Sequence, residues 1–207
     1  MDYRRTYRSA AIAFADLVSR IPPDRLDEPG LGEWTLRDLL GHTVSSALRQ
    51  VPDVLAASAP ALLVTSPEGY FAVARNAPPE LLAAARSASA DDARATGKAL
   101  GVEPAAVVSD FIGRATSALA GAGDDDPVAT PAGGMRVRDW LPTRTFELVV
   151  HGSDAAAAAG VPISLDESVF AEAAALAARI AVVTGDGPAV LRALTGRASL
   201  PPGFSVV

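Results

Sequence analysis

Apolar residues recur at three- and four-residue steps through most of this chain, and the two-residue alternation of half-buried strands is nearly absent. A sequence with that rhythm packs helix against helix. Tyr3, Tyr7, Ala10, Phe14, Leu17 and Ile21 form one stripe over residues 2–21, closed by Pro22 and Pro23. Residues 22–33, rich in Pro, Asp and Gly, read as a loop. Thr35 is a ready N-cap for a second helix, with Asp38 in the acidic position three residues on. That helix carries Leu36, Leu39, Leu40, Val44, Ala47, Val51 and Leu55, and Pro52 is expected to kink or end it.

Residues 60–80 contain Pro60, Pro67, Pro78 and Pro79 and read as mostly irregular, with one short helix near 70–75. Residues 80–100 read as helix, Ala-rich and weakly patterned. Glu103-Pro104 opens a firmer helix with Val107, Val108, Phe111, Ile112, Ala115 and Leu119 inside. After a connection of Gly, Asp and Pro over 121–134, Val137, Trp140, Leu141, Thr145, Leu148, Val149 and Ala155 mark a helix over 136–159. Gly160-Val161-Pro162 ends it. Further helices are expected near 166–184 and 187–195. The expected fold is all-α, with a four-helix core near 2–21, 35–59, 103–120 and 136–159. The expected organisation is one domain over 1–207, its core about 2–160 and a C-terminal helical extension about 161–207.

Composition narrows the chemistry. The chain has no Cys, which excludes disulfides, thiolate metal ligands and a Cys nucleophile. If thiol chemistry occurs here, a ligand brings the thiol. The net charge of -6 and the lack of any Lys and Arg cluster argue against a nucleic-acid surface. Lys98 is the only lysine, and the arginine bias reads as the mark of a GC-rich genome. The start, Met-Asp-Tyr-Arg-Arg, lacks an apolar signal core, and no uncharged apolar run approaches the roughly 20 residues that span a bilayer. The expected location is the cytoplasm, with no membrane partner.

The chain has two His. His151 follows Glu147 by four residues on one expected helix, so the two side chains project from the same face about one turn apart. His42 lies mid-helix beside the apolar stripe of the second helix, where a third ligand would face them. Two imidazoles and one carboxylate leave an open position, as catalytic zinc and non-haem iron sites do. The same spacing also describes an ordinary ion pair, and a lone His on an apolar face is commonly a core residue.

The surrounding residues carry a resemblance. Gly32-Glu33-Trp34-Thr35-Leu36-Arg37-Asp38-Leu39-Leu40-Gly41-His42 resembles the "GWTVRDLLAHL" segment of the DinB-like superfamily. Arg144-Thr145-Phe146-Glu147-Leu148-Val149-Val150-His151-Gly152-Ser153-Asp154 resembles "RxxELVVHGWDLA". That form is typical of the branch containing the N-terminal domain of mycothiol-dependent maleylpyruvate isomerase. Residues 193–204 resemble segments near the end of such proteins. The resemblance implies a DinB-like four-helix bundle with extra C-terminal helices and a metal triad of His42, Glu147 and His151. It implies zinc first, with nickel, iron and manganese as alternatives, and mycothiol as a thiol cosubstrate. Ser153 departs from the Trp usual at its position, which suggests a reshaped pocket. The chain also looks too short to carry the isomerase's separate C-terminal domain.

Four neighbours are weighed beside the triad. Asp154, three residues past His151, reads as an acceptor for the ligand imidazole or as a general base. Arg144 reads as a bidentate partner for a substrate carboxylate or as a partner of Glu147. Asp38 reads as a group orienting the His42 ring or as part of the helix cap. Arg49, seven residues after His42, reads as lining the same groove or as an exposed basic residue. The resemblance implies a metal-dependent transferase or isomerase that acts on a small electrophilic substrate. A thiol-independent hydrolase, lyase or cyclase and a non-catalytic stress-related module stand as alternatives, and a homodimer is open.

Overall fold

The computed structural model describes residues 2–59 and 61–207. Pro60, counted above among the helix breakers, lies outside the described residues. Eight of the helices form the body: α1 (Tyr3–Arg20), α2 (Leu36–Val44), α3 (Gln50–Leu55), α4 (Pro67–Arg75), α5 (Pro79–Ala99), α6 (Pro104–Ala120), α7 (Val137–Ala159) and α8 (Glu167–Val183). A further helix, α9 (Gly187–Leu194), follows them. The architecture is the expected all-α bundle. α1, α2 with α3, α6 and α7 make its core, and α8 lies against α1, α4 and α7. No helix among the described residues is long and apolar enough to cross a membrane.

Local chemistry sets the helix ends. The Asp2 carboxylate accepts the Arg4 and Arg5 amides at 3.1 Å and caps α1. Thr35 and Asp38 close a reciprocal capping box at α2, each side chain accepting the other's backbone N–H at 3.1 Å. Pro67, Pro79 and Pro104 occupy first turns, where a missing N–H costs nothing. Gly160, at φ 69°, ends α7 in the left-handed conformation.

Three features differ from the sequence reading. Pro52 does not end the second helix. The chain passes through one π-helical stretch, Ser45–Arg49, and then resumes as α3 with Pro52 inside it. Proline cannot donate to the carbonyl four residues earlier, and a widened turn just ahead of it absorbs that mismatch. The connection over 121–134 also holds structure. Strands β1 (Pro127–Thr130) and β2 (Gly133–Arg136) form an antiparallel hairpin with Val128 opposite Met135, both buried. Residues 57–59, 63 and 64 pair with it, Ala129 donating to the Ala57 carbonyl at 2.7 Å and Leu63 to that of Gly134 at 2.9 Å. Alternation over four residues is too short to read as a strand.

The third difference concerns α5. Its Ala-rich sequence gives no clear stripe because it packs through small residues. At Gly41 of α2 a Cβ would collide with the Ala93 carbonyl and the Gly97 backbone of α5, and one at Gly97 would lie 2.5 Å from the Arg37 carbonyl. The two backbones therefore touch directly, one residue before His42. Gly41→Ala is expected to cost about 1–3 kcal/mol, as overpacking of a closed interior does. Thermal unfolding followed by circular dichroism should show Tm lowered by several degrees.

Candidate metal centre

α7 presents its chemistry from one face. Arg144, Glu147, His151 and Asp154 follow at three- and four-residue steps, so they stack along the helix. α2 delivers His42 from across the bundle. The inward nitrogen of each imidazole faces the same carboxylate oxygen: His151 Nε2 lies 3.3 Å and His42 Nε2 3.9 Å from Glu147 Oε2. One potential ligand atom from each of the three residues lies within 4.8 Å of the others. Ligands bound to zinc at about 2.0–2.2 Å in a tetrahedron stand roughly 3.3–3.6 Å apart, so this donor set suits one ion after a small contraction. The rings of His42 and His151 meet edge to face with centroids 4.8 Å apart, and Trp34 stands 4.9 Å from His42 on its other side.

The outward nitrogens are also held. His151 Nδ1 lies 3.2 Å from Asp154 Oδ2. His42 Nδ1 lies 3.3 Å from Ser89 Oγ on α5. The Asp38 carboxylate is spent on the α2 capping box, so the expectation that it orients His42 gives way to Ser89. Asp154 is not among the residues lining the adjoining cavity; its carboxylate meets His151.

Arg144 is 2% exposed although charged. Its Nη1 donates to the Ser46 carbonyl and to Gln50 Oε1, both at 2.8 Å, and its Nε to Thr143 Oγ1 at 3.0 Å. The guanidinium carbon sits 4.9 Å from the Tyr70 ring and 5.6 Å from that of Trp140. Nη2 alone is unbonded, 4.0 Å from Glu147 Oε1 and shut off from solvent. Arg144 also lines the cavity, and it backs the Glu147 carboxylate.

An open cavity of about 980 Å³ adjoins the triad. Residues of the π turn, α4, α5 and the β1–β2 hairpin wall it. Arg49 belongs to that wall and is not a free surface residue: its Nη2 meets both Asp92 oxygens at 2.7 and 2.6 Å. Sequence reasoning missed Ser89, Asp92 and Gln50, because nothing in the weak pattern of α5 or in a π turn marks them. Ser153 hydrogen-bonds the Val149 carbonyl of its own helix at 2.7 Å.

Electrostatics favour an anionic carboxylate at the centre. Burial pushes Glu147 up, but the His151 hydrogen bond and the charges of Arg144, His151 and His42 outweigh it and hold its pKa below the usual value. Burial lowers the pKa of His42, and the neighbouring His151 lowers it further. Burial also lowers His151, yet hydrogen bonds to Asp154 and Glu147 prevail and raise it from 6.5 to about 9.

The fold is a helical bundle in which two imidazoles and one carboxylate converge on an open cavity and could hold a metal ion. The chain belongs to the mycothiol maleylpyruvate isomerase N-terminal domain family, whose model matches residues 7–156. That stretch runs from within α1 to within α7 and includes all three triad residues. Comparison with curated proteins and with solved structures gives no significant match.

The raised pKa of His151 has a defined sign. In the metal-free chain its charged form adds stability that is full below 6.5 and is lost as pH rises through about 9. An incoming ion must displace that proton. Metal affinity is therefore expected to rise about tenfold per pH unit up to about 9 and then to level off. Calorimetry in buffers of different ionisation enthalpy should show about one proton released per ion at neutral pH.

Proposed function

We propose that this protein is a divalent-metal-dependent enzyme that uses a low-molecular-weight thiol, mycothiol, as cosubstrate for S-transfer to, or isomerisation of, a small electrophile. The observation that carries the reading is the convergence of His42, Glu147 and His151 within 4.8 Å at the wall of an open cavity. The nitrogen and oxygen donor set favours zinc. A divalent ion held there lowers the pKa of a coordinated thiol, so that thiolate exists at neutral pH.

The chain's own residues do the remaining work. His42, Glu147 and His151 hold the ion. Asp154 Oδ2 accepts from His151 Nδ1, which fixes the ring and turns the Nε2 lone pair inward. Arg144 keeps Glu147 in its carboxylate form from behind. The cavity, at about 980 Å³, stands at the upper end of small-molecule sites and has room for a thiol and an electrophile together. Because the chain has no Cys, no protein thiol competes with the ligand thiol. The arginine-heavy composition supports an actinobacterial host, where mycothiol is the usual small thiol. The reading puts the reaction in the cytoplasm.

Purified protein is expected to bind about one divalent ion per chain, and His42→Ala or His151→Ala should each lose most of the affinity. Unchanged metal content in both variants overturns the triad. In cobalt-substituted protein, mycothiol should produce a new sulfur-to-metal charge-transfer band that its S-methyl derivative does not. Full turnover with every small thiol removed would overturn the thiol reading and pass the same site to carbonyl-polarising hydrolase or lyase chemistry.

A further inference from the structure

The two imidazoles of the triad are held in parallel fashion but by unlike groups. Each turns Nε2 toward Glu147 and Nδ1 toward a holder. For His151 the holder is the Asp154 carboxylate, on the same helix one turn away. For His42 it is the Ser89 hydroxyl, at 3.3 Å, from a helix outside the four-helix core. Among the described residues no other hydrogen-bonding group reaches His42 Nδ1.

We infer that Ser89 is a positioning residue for His42, and that α5 is thereby a working part of the site. The inference rests on the metal reading above. When Nε2 binds the ion the ring proton sits on Nδ1, and the Ser89 hydroxyl accepts it and holds the ring in place. Without the ion, Nε2 faces the Glu147 carboxylate and the same hydroxyl can donate to Nδ1, so the contact orients the ring in either state.

The fold supplies the precision this contact requires. Gly41 precedes His42, and a Cβ on Gly41 would strike the backbone of α5 at Ala93 and Gly97. The two helices therefore meet backbone to backbone one turn from Ser89, so the hydroxyl is delivered by rigid elements and not by a loop. Ser89 lines the cavity alongside His42. The holder is neutral, so His42 adds no negative charge to the site through it. Asp154 does add one through His151. The two imidazoles are thus unequal donors, His151 the stronger.

The test uses the whole chain and two variants, Ser89→Ala and Ser89→Thr. With only two histidines, a nitrogen-15 spectrum of the metal-free protein contains two ring systems, and it reads the hydrogen bonding of each ring nitrogen directly. His42 Nδ1 is expected at a hydrogen-bonded shift in the parent chain and in Ser89→Thr, and to move to an unbonded shift in Ser89→Ala. Zinc affinity, measured by competition with a chromophoric chelator, should fall about 10–100-fold in Ser89→Ala and return in Ser89→Thr. The His151 ring should not change in either variant. A Ser89→Ala chain that keeps both the Nδ1 shift and the affinity overturns the proposal. So does an affinity loss with the Nδ1 shift unchanged, which assigns the effect to packing. A parent chain that takes up no zinc defeats the metal reading on its own, while the Nδ1 shift still decides the role of Ser89.

Discussion

A carboxylate placed among apolar helices is tolerated only when its charge is met from several sides, and Glu147 is the group around which this bundle is arranged. Water could solvate it fully, and burial removes that at a cost of several kcal/mol unless partners replace it. Here the replacements come from two imidazoles in front and a guanidinium behind. Each partner then needs its own support. His151 leans on Asp154, His42 on Ser89, and Arg144 on Ser46, Gln50 and Thr143. The polar network is thus a chain of obligations that starts at one oxygen pair and ends at backbone carbonyls and solvent-facing acids.

That network explains local oddities of the fold. The π turn at Ser45–Arg49 presents the Ser46 carbonyl to Arg144, and it sits between His42 and Gln50, both of which belong to the site. Departures from the α-helical ladder are frequent where a helix must serve a site as well as a core. The same stretch sends Arg49 across to Asp92 and Thr96, tying the cavity wall on α5 to the helix that bears His42. The glycine crossing at Gly41 and Gly97 brings those two helices close enough for such short reaches. Without it, Ser89 would stand a side chain's width farther from the ring it meets.

The helical core was legible because helix periodicity and end signals are local. Thr35 with Asp38, Gly160 before Pro162, and Pro104 opening α6 each act within a few residues, so their outcome follows from neighbours in sequence. The Glu147–His151 pair was legible for the same reason, since four residues on a helix bring two side chains to one face. The pairing of His42 with them rested on resemblance, because no local rule links positions more than a hundred residues apart. The hairpin at 127–136 was not legible: its strands are short and are stabilised by pairing with residues 57–59, 63 and 64, which are distant in sequence.

The sequence by itself determined the helical class, the helix ends, the absence of any protein thiol, and which three side chains have the donor atoms for a metal. Only the tertiary structure decided what stands behind each of them. Asp38 had two uses open to it, and the capping box took it. Arg144 looked free to meet a substrate, and packing between Tyr70 and Trp140 enclosed it. Ser89 looked like any serine on an Ala-rich helix, and a glycine-to-glycine helix crossing carried it to His42. The physical reason is common to all three. A side chain's partner is set by distance and desolvation in the packed molecule, and those depend on how helices cross, which local sequence rules do not encode.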